Sequence, residues 1–348
     1  MNDLYNKILE KYSNYNLDWD KLRNKSIMLS GATGLVGRFF VDLIMKKNEN
    51  DELNCKIIAL CRNKEKALDM FNGYDDKLFN IFEQDVINPI EYSGSVDFVI
   101  HAASNTHPVQ YATDPIGTIK TNLYGTDNLL KYSKDNSVKK FLLISSFEVY
   151  GKVNDNKKMA ENDFGIVDCT VLRSCYPESK RLSENLSIAY SVQEGVNVSI
   201  VRLSRVFGPT MLLSSSLATS QFIKNAINGE DIVLKSDGKQ FYSYNYVGDA
   251  VTAILTVLLY GKDREAYNVA DDAYDLSLGG FAQLVSNYNN NKVIFSLPNE
   301  IEKKGFSNSI MSVLDGSKIK ELGWEPMGTL ENDINDTINA IKTKKKVK

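Results

Sequence analysis

The sequence predicts an α/β fold: a doubly wound parallel sheet with a smaller C-terminal α/β domain. Three observations carry that expectation. Strand-like apolar runs alternate with helical stretches along most of the chain, as in strands joined by crossover helices. Two of the runs, Phe98-Val99-Ile100 and Phe141-Leu142-Leu143-Ile144, are continuously apolar, as strands buried on both faces are. The first run, Ile27-Met28-Leu29, leads through a glycine-rich turn straight into a helical pattern on Phe39, Phe40, Leu43 and Ile44.

The elements follow in order. Residues 1–24 read as a polar amphipathic helix on Leu4, Ile8 and Tyr12, then a connector through Leu17, Trp19 and Leu22. Strands are expected at Ser26–Ser30, Lys56–Cys61, Asp97–Ala102, Lys140–Ser145, Val198–Leu203 and Ala266–Val269. Helices are expected near 36–47, 63–72, 116–134, 176–194 and 246–260. From about residue 206 the character changes: Gly208-Pro209 breaks the chain, Ser214-Ser215-Ser216 follows, and Asp237-Gly238 turns into the aromatic run Phe241–Tyr246. The expected division is an N-terminal extension (1–24), a large domain (25–205 with about 246–270), a small domain (206–245 and 271–341) and a basic tail (342–348). Tyr242, Tyr244 and Tyr246 alternate at strand spacing, so sheet packing is their default role.

Composition narrows the function. The 41 Lys and Arg against 44 Asp and Glu leave a net charge of −3, which gives no electrostatic reason to expect nucleic acid or a membrane surface as partner. No apolar run approaches the roughly 20 residues that span a bilayer. Met1-Asn2-Asp3-Leu4 has no secretory character, so a cytoplasmic location with reduced thiols at Cys55, Cys61, Cys169 and Cys175 is expected. Two histidines without a His-Glu-x-x-His pattern argue against a protein-built zinc site, and Gly-x-Ser-x-Gly is absent. His101, closing an apolar strand, reads as structural; His107 lies in a loop expected to rim a pocket.

The turn Ser30-Gly31-Ala32-Thr33-Gly34-Leu35-Val36-Gly37 has Gly-x-x-Gly-x-x-Gly spacing between strand and helix. Glycines permit the tight turn, and free N–H groups at the helix's positive end suit a dinucleotide pyrophosphate. The same turn also serves ligand-free βα connections, so context must separate the two readings. Tyr176 and Lys180 are spaced i, i+4 and share a helix face, where an ammonium near a phenol favours proton transfer. Ser146 and Glu148 follow the Lys140–Ser145 strand, at the carboxyl edge where open sheets carry chemistry. Capping and turn formation are the alternative role for that pair.

These motifs together resemble the extended short-chain dehydrogenase/reductases of the NAD-dependent epimerase/dehydratase family, which act on nucleotide sugars over a Rossmann-type sheet. The matching landmarks are Thr33-Gly34-Leu35-Val36-Gly37, Asp85-Val86, His101-Ala102-Ala103, Asn122-Leu123-Tyr124-Gly125-Thr126, Ser145-Ser146 with Val149-Tyr150-Gly151, and Tyr176-Pro177-Glu178-Ser179-Lys180. Arg202 with Gly208-Pro209, Tyr246-Val247 with Asp249, and Leu322-Gly323-Trp324 continue the family's order. The resemblance implies that Tyr176 exchanges a proton with a sugar hydroxyl at C4 during hydride transfer, with Ser146 orienting that hydroxyl and Lys180 holding the nicotinamide ribose and lowering the tyrosine's pKa. It assigns the cofactor to Gly31, Thr33, Gly34, Leu35, Val36, Gly37, Arg62, Asp85, Val86, Ala102, Ala103, Asn122, Ser145, Tyr176 and Lys180. It assigns the substrate to Ser104, Asn105, Arg205 and Tyr242, and implies a homodimer paired through the helices after Asn122 and at Tyr176.

Departures refine the expectation. Phe147 stands where many dehydratases carry an Asp before the Glu, so Glu148 alone resembles GDP-mannose dehydratases and UDP-glucuronate decarboxylases, and Arg173-Ser174-Cys175-Tyr176 shares the decarboxylase flavour. Tyr242 and Met311 replace arginines common in the family, while Arg205 stands at a frequent Asn. At the end of the second strand Cys61-Arg62-Asn63 replaces the usual acidic residue. NAD or NADP is therefore expected, with Arg62 favouring NADP because a guanidinium matches a phosphate. The alternatives are a nucleotide-sugar ketoreductase that exchanges NADPH each cycle, and a non-catalytic dinucleotide-binding protein.

Overall fold

The computed structural model describes residues 2–106, 108–153, 157–296 and 311–346; His107 and the end of the basic tail lie outside them. Helix α1 (Asp3–Ser13) starts on the Asn2 cap and buries Tyr5, Ile8, Leu9 and Tyr12, the i, i+3, i+4, i+7 stripe of an amphipathic helix. Then come β1 (Ser26–Ser30), α2 (Leu35–Asp51), β2 (Lys56–Cys61), α3 (Lys64–Met70), β3 (Phe79–Glu83), β4 (Phe98–His101), α4 (Pro108–Thr113), α5 (Pro115–Asp135), β5 (Lys140–Ser146), α6 (Cys175–Glu194), β6 (Val198–Leu203) and β7 (Arg205–Phe207). The remainder is α7 (Ala218–Asn228), β8 (Ile232–Leu234), β9 (Phe241–Tyr246), α8 (Val247–Tyr260), β10 (Glu265–Val269), β11 (Asp275–Ser277), α9 (Leu278–Asn287), β12 (Val293–Phe295), β13 (Met311–Ser312), α10 (Ser317–Lys320) and α11 (Leu330–Lys346). No helix among the described residues is long and apolar enough to cross a membrane.

Among the described residues a seven-stranded sheet runs β10-β6-β5-β4-β1-β2-β3, with every pair parallel. Alternate strand residues serve opposite faces. Ile27, Leu29, Ile57, Ala59, Leu142 and Ile144 join the core beneath α2 and α8, while Met28, Ile58, Leu60, Phe141 and Leu143 join the core beneath α5, the period of two built into a strand. The strand order reverses between β1 and β4, so the crevice that receives ligands in such sheets opens past Ser30 and His101. β10 returns to this sheet beside β6. β7, β11 and β13 pair with β9 in a second sheet, and β8 pairs with β12.

Two elements differ from expectation. The edge strand β3 (pairing β2 alone) needs no continuous apolar run, and its exposed Asn80 and Glu83 hide it from a burial pattern. The region expected to fray as a basic tail continues helix α11 to Lys346.

The junction of α1, α8 and α11 has a pH dependence. Asp249 is fully buried, its Oδ1 accepting from Tyr12 Oη at 3.1 Å and from Met327 N at 2.8 Å. Asp333 accepts from Tyr274 Oη. Burial first, and with it the Asp249 charge, pushes Asp333 up to about 7, and burial first, then the Asp271 charge, pushes Asp249 up to about 6. A carboxyl raised in the folded chain stabilises it below the unfolded pKa of about 3.9 and loses that contribution as pH rises through the folded value. Asp333→Asn is therefore expected to gain on wild type as pH rises, its melting temperature relative to wild type standing about 3 °C higher at pH 8 than at pH 5 in paired thermal denaturation. Equal differences at the two pH values would contradict the assignment.

Candidate active site

The first turn is built backbone against backbone. Gly31 sits at φ +77°, and a Cβ there would lie 2.7 Å from the backbone of Ala102 and Ala103. A Cβ on Gly37 would lie 2.2 Å from the Gly31 carbonyl oxygen. Both glycines are thus required by the protein's own contacts. Gly34 differs: it has an ordinary φ of −80°, and a Cβ would meet only the Gly31 oxygen at 3.3 Å. Gly34 caps α2 without a side-chain acceptor, leaving first-turn N–H groups for an anion. Ser30 Oγ ties the turn down, accepting from the amides of Ala102 and Ala103 at 3.2 Å each and lying 2.7 Å from His101 Nδ1. Burial, then the Lys180 charge, takes His101 down to about 3, so it is a neutral structural ring. This turn is a cradle that fits a pyrophosphate.

Beyond β2 and β3, Arg62 is exposed, with Nη1 4.0 Å from Asp85 Oδ2; Asp85 Oδ1 also accepts from Ile87 N at 3.2 Å. Val86 is core, its side chain facing Gly125. Leu35 and Val36 pack on the main core, and the Leu35 carbonyl accepts from Thr210 Oγ1 at 2.7 Å; Thr33 lies between the Gly31 and Gly34 turns, half-buried. Asn122 is occupied inside the protein: its Oδ1 accepts from Ser104 Oγ at 2.7 Å and its Nδ2 donates to Ser179 Oγ at 2.8 Å, bracing α5 to α6. Asn105 Nδ2 reaches Thr118 Oγ1 at 3.5 Å.

The chemistry-bearing residues meet past the carboxyl end of β5. Ser145 is buried, with Oγ unpartnered. Ser146 closes the strand, accepts from Glu148 N at 3.2 Å and begins a short 3₁₀ turn, Phe147–Tyr150. The capping role expected as the alternative is thus present at Ser146, at the strand's carboxyl end. Glu148 and Arg173 form a bidentate pair, Nη1–Oε2 2.9 Å and Nη2–Oε1 3.0 Å. Burial drives the Tyr176 phenol well above its ordinary pKa, Glu148 adds to the rise, and the Ser146 hydroxyl and the Arg173 charge oppose it. Lys180, expected to lower that phenol, instead donates from Nζ to the Ile144 carbonyl at 2.8 Å. Burial brings the Lys180 ammonium down to about 8, with Glu184 opposing.

Sequence reasoning expected Tyr242 to face the substrate. The structure buries its ring, with 4% exposure, under the guanidinium of Arg205, whose Cζ is 3.7 Å from the ring centroid. The β7–β9 register explains this: Arg205 pairs with Tyr244 on the adjacent strand, bringing its side chain over the Tyr242 ring. Arg205 also lies 5.6 Å from the Phe147 ring, and its buried Nε has no partner. Among the described residues no carboxylate pairs with Arg205, so a cation stands on an aromatic platform without a counterion. Sequence reasoning gave Tyr111 no role, because it lies far from the Tyr176 motif along the chain; its ring stacks on Tyr176 at 4.9 Å and 23°.

A model of the NAD dependent epimerase/dehydratase family matches residues 27–270. The chain is 31% identical over 320 residues to UDP-glucuronic acid decarboxylase 1 of Xenopus tropicalis, covering 91% of this chain and 72% of that protein. It is 31% identical over 308 residues to UDP-glucuronic acid decarboxylase 3 of Arabidopsis thaliana, covering 87% and 85%. Its fold is similar to a dTDP-glucose 4,6-dehydratase from Streptomyces venezuelae solved with NAD bound, with TM-score 0.78 at 22% identity over 92% of this chain and 98% of that chain. With most of its length inside the matched region, this chain belongs to the NAD dependent epimerase/dehydratase family.

Proposed function

We propose that the chain is an NAD(P)-dependent enzyme that oxidises a nucleotide-linked sugar at C4 with Tyr176 as the acid–base group. The observation that carries this reading is that Ser146, Glu148, Tyr176 and Lys180 cluster past the carboxyl end of β5, on the same edge of the parallel sheet as the Gly31–Gly37 turn after β1. Ser146 holds the sugar hydroxyl, and Tyr176, as the phenolate, accepts its proton. Bound in the cradle through Gly31, Gly34 and Gly37 and along Ala102 and Ala103, the dinucleotide supplies a hydride acceptor and a positive charge near the phenol. Oxidation at C4 acidifies the neighbouring C5 position, where Glu148, paired with Arg173, is placed to move a proton. Phe147 gives Glu148 no acidic neighbour to protonate a departing 6-hydroxyl, which favours decarboxylation or epimerisation over dehydration. Incubation with UDP-glucuronic acid and with UDP-glucose, followed by NMR of the products, tests the reading; no conversion of either would overturn it for uridine sugars.

The uncompensated Arg205 supports an anionic substrate, with its guanidinium on the diphosphate. Arg205→Met is expected to raise KM about 30-fold, from loss of a charge-assisted hydrogen bond of about 2 kcal/mol, while dinucleotide stays bound. An unchanged KM would remove Arg205 from the substrate site. Arg62, exposed and only loosely paired with Asp85, supports NADP over NAD. Mass spectrometry of nucleotides released by denaturation is expected to give NADP from wild type and at least about tenfold less of it from Arg62→Ser. Release of NAD from wild type would overturn that preference and leave the rest standing. Ile116, Ile119 and Tyr124 on α5 and Leu182 on α6 stand exposed, which supports a homodimer through those helices, working in the cytoplasm.

A further inference from the structure

Tyr111 is 3% exposed in α4. With Cys175 and Tyr176 it forms a small apolar cluster separate from the main cores. The Tyr176 ring is therefore held by one stacked ring and one cysteine side chain, outside the packing that fixes the sheet. The Cys175 thiol donates to the Tyr111 carbonyl at 3.9 Å, tying α4 to the start of α6. On its other contact, the Tyr111 ring centroid lies 5.8 Å from the Arg173 guanidinium, which grips Glu148 through two hydrogen bonds. Among the described residues, Tyr111 is the ring in contact with both the phenol and the Arg173 of the ion pair.

We propose that Tyr111 is a positioning residue for the chemistry at Tyr176: its ring holds the phenol in front of Ser146 and keeps the Arg173 guanidinium on Glu148. The proposal rests on Tyr176 being the acid–base group. Stacked rings attract beyond the area they bury, and a guanidinium prefers a π face, so one ring serves both neighbours. Proton transfer needs its heavy atoms within hydrogen-bond reach, so a phenol free to swing loses rate even when substrate still binds. Glu148 and Arg173 act on the phenol in opposite directions. Releasing Arg173 leaves the Glu148 charge unbalanced and makes the phenol a weaker acid.

The test compares Tyr111→Phe and Tyr111→Leu in the full-length chain. Ring-labelled tyrosine NMR follows the Tyr176 resonance, assigned with Tyr176→Phe, and kinetics use UDP-glucuronic acid and UDP-glucose. Tyr111→Phe is expected to match wild type in both. Tyr111→Leu is expected to lose the ring-current shift at Tyr176, to lose about tenfold or more in kcat with KM within about twofold, and to move the acidic limb of the kcat profile to higher pH. Should the leucine variant fail to fold, pentafluorophenylalanine at position 111 keeps the ring's shape while reversing its quadrupole, and the same pH displacement is expected. An unmoved Tyr176 resonance with unchanged kcat in Tyr111→Leu, or an unmoved pH profile in the fluorinated protein, overturns the proposal. Full turnover by Tyr176→Phe overturns the acid–base reading instead, while the Tyr176 resonance still decides whether Tyr111 holds that ring.

Discussion

Tyr176→Phe is expected to lose about 10³-fold in turnover while releasing the same amount of dinucleotide as wild type on denaturation. The separation follows from what the ring and the hydroxyl each do. The ring stacks on Tyr111 and fills the cluster with Cys175, and phenylalanine keeps both contacts. The hydroxyl interacts with Ser146, and in the proposed mechanism it alone carries the proton. The cradle lies on a different turn, between β1 and α2, and does not involve the phenol. Single-turnover kinetics on the retained dinucleotide would measure the loss directly. A variant as fast as wild type would end the proposed mechanism, and a variant that also sheds dinucleotide would show that the phenol's contribution is binding.

Gly37→Ala and Gly34→Ala are expected to part company. A Cβ on Gly37 meets the Gly31 carbonyl oxygen at 2.2 Å and the Ala32 Cα at 2.8 Å. Neither backbone atom can move without displacing α2 from β1, so the variant is expected to lose about 4 kcal/mol or more of stability along with dinucleotide. Gly34 has no such need: its backbone angles suit alanine, and the nearest atom leaves a tight but adjustable 3.3 Å. Gly34→Ala is expected to fold within about 1 kcal/mol of wild type yet retain at least about tenfold less dinucleotide, because the added methyl stands over the N–H groups at the α2 start. Chemical denaturation and nucleotide release read the two effects separately. If Gly34→Ala retained dinucleotide fully, the pyrophosphate would have to lie elsewhere.

Much of the architecture was legible from local pattern. Buried parallel strands advertise themselves by continuous apolar runs, so β1, β2 and β6 were expected at their observed bounds and β4, β5 and β10 within a residue. The edge strand β3 was the harder one, because a strand with one neighbour needs no such run. The positions of the candidate residues were legible for a related reason: Ser146 and Glu148 follow a strand end, and Tyr176 and Lys180 lie one turn apart on a helix, so short-range spacing already places them.

What the spacing could not supply were the partners. Arg173 and Glu148 meet because the turn after β5 and the start of α6 fold onto one another. Tyr111 meets Tyr176 because α4 docks on that same start. Arg205 meets Tyr242 because β7 and β9 pair side by side. Lys180 turns to a backbone carbonyl, a choice that burial decides and spacing does not. The sequence by itself determined the strand–helix order, the glycine turn and which groups stand at the sheet's carboxyl edge, since each depends on torsions and periods within a few residues. Only the tertiary structure decided which charge each group feels and which ring holds it, because such energies depend on distance and burial between residues far apart in the chain.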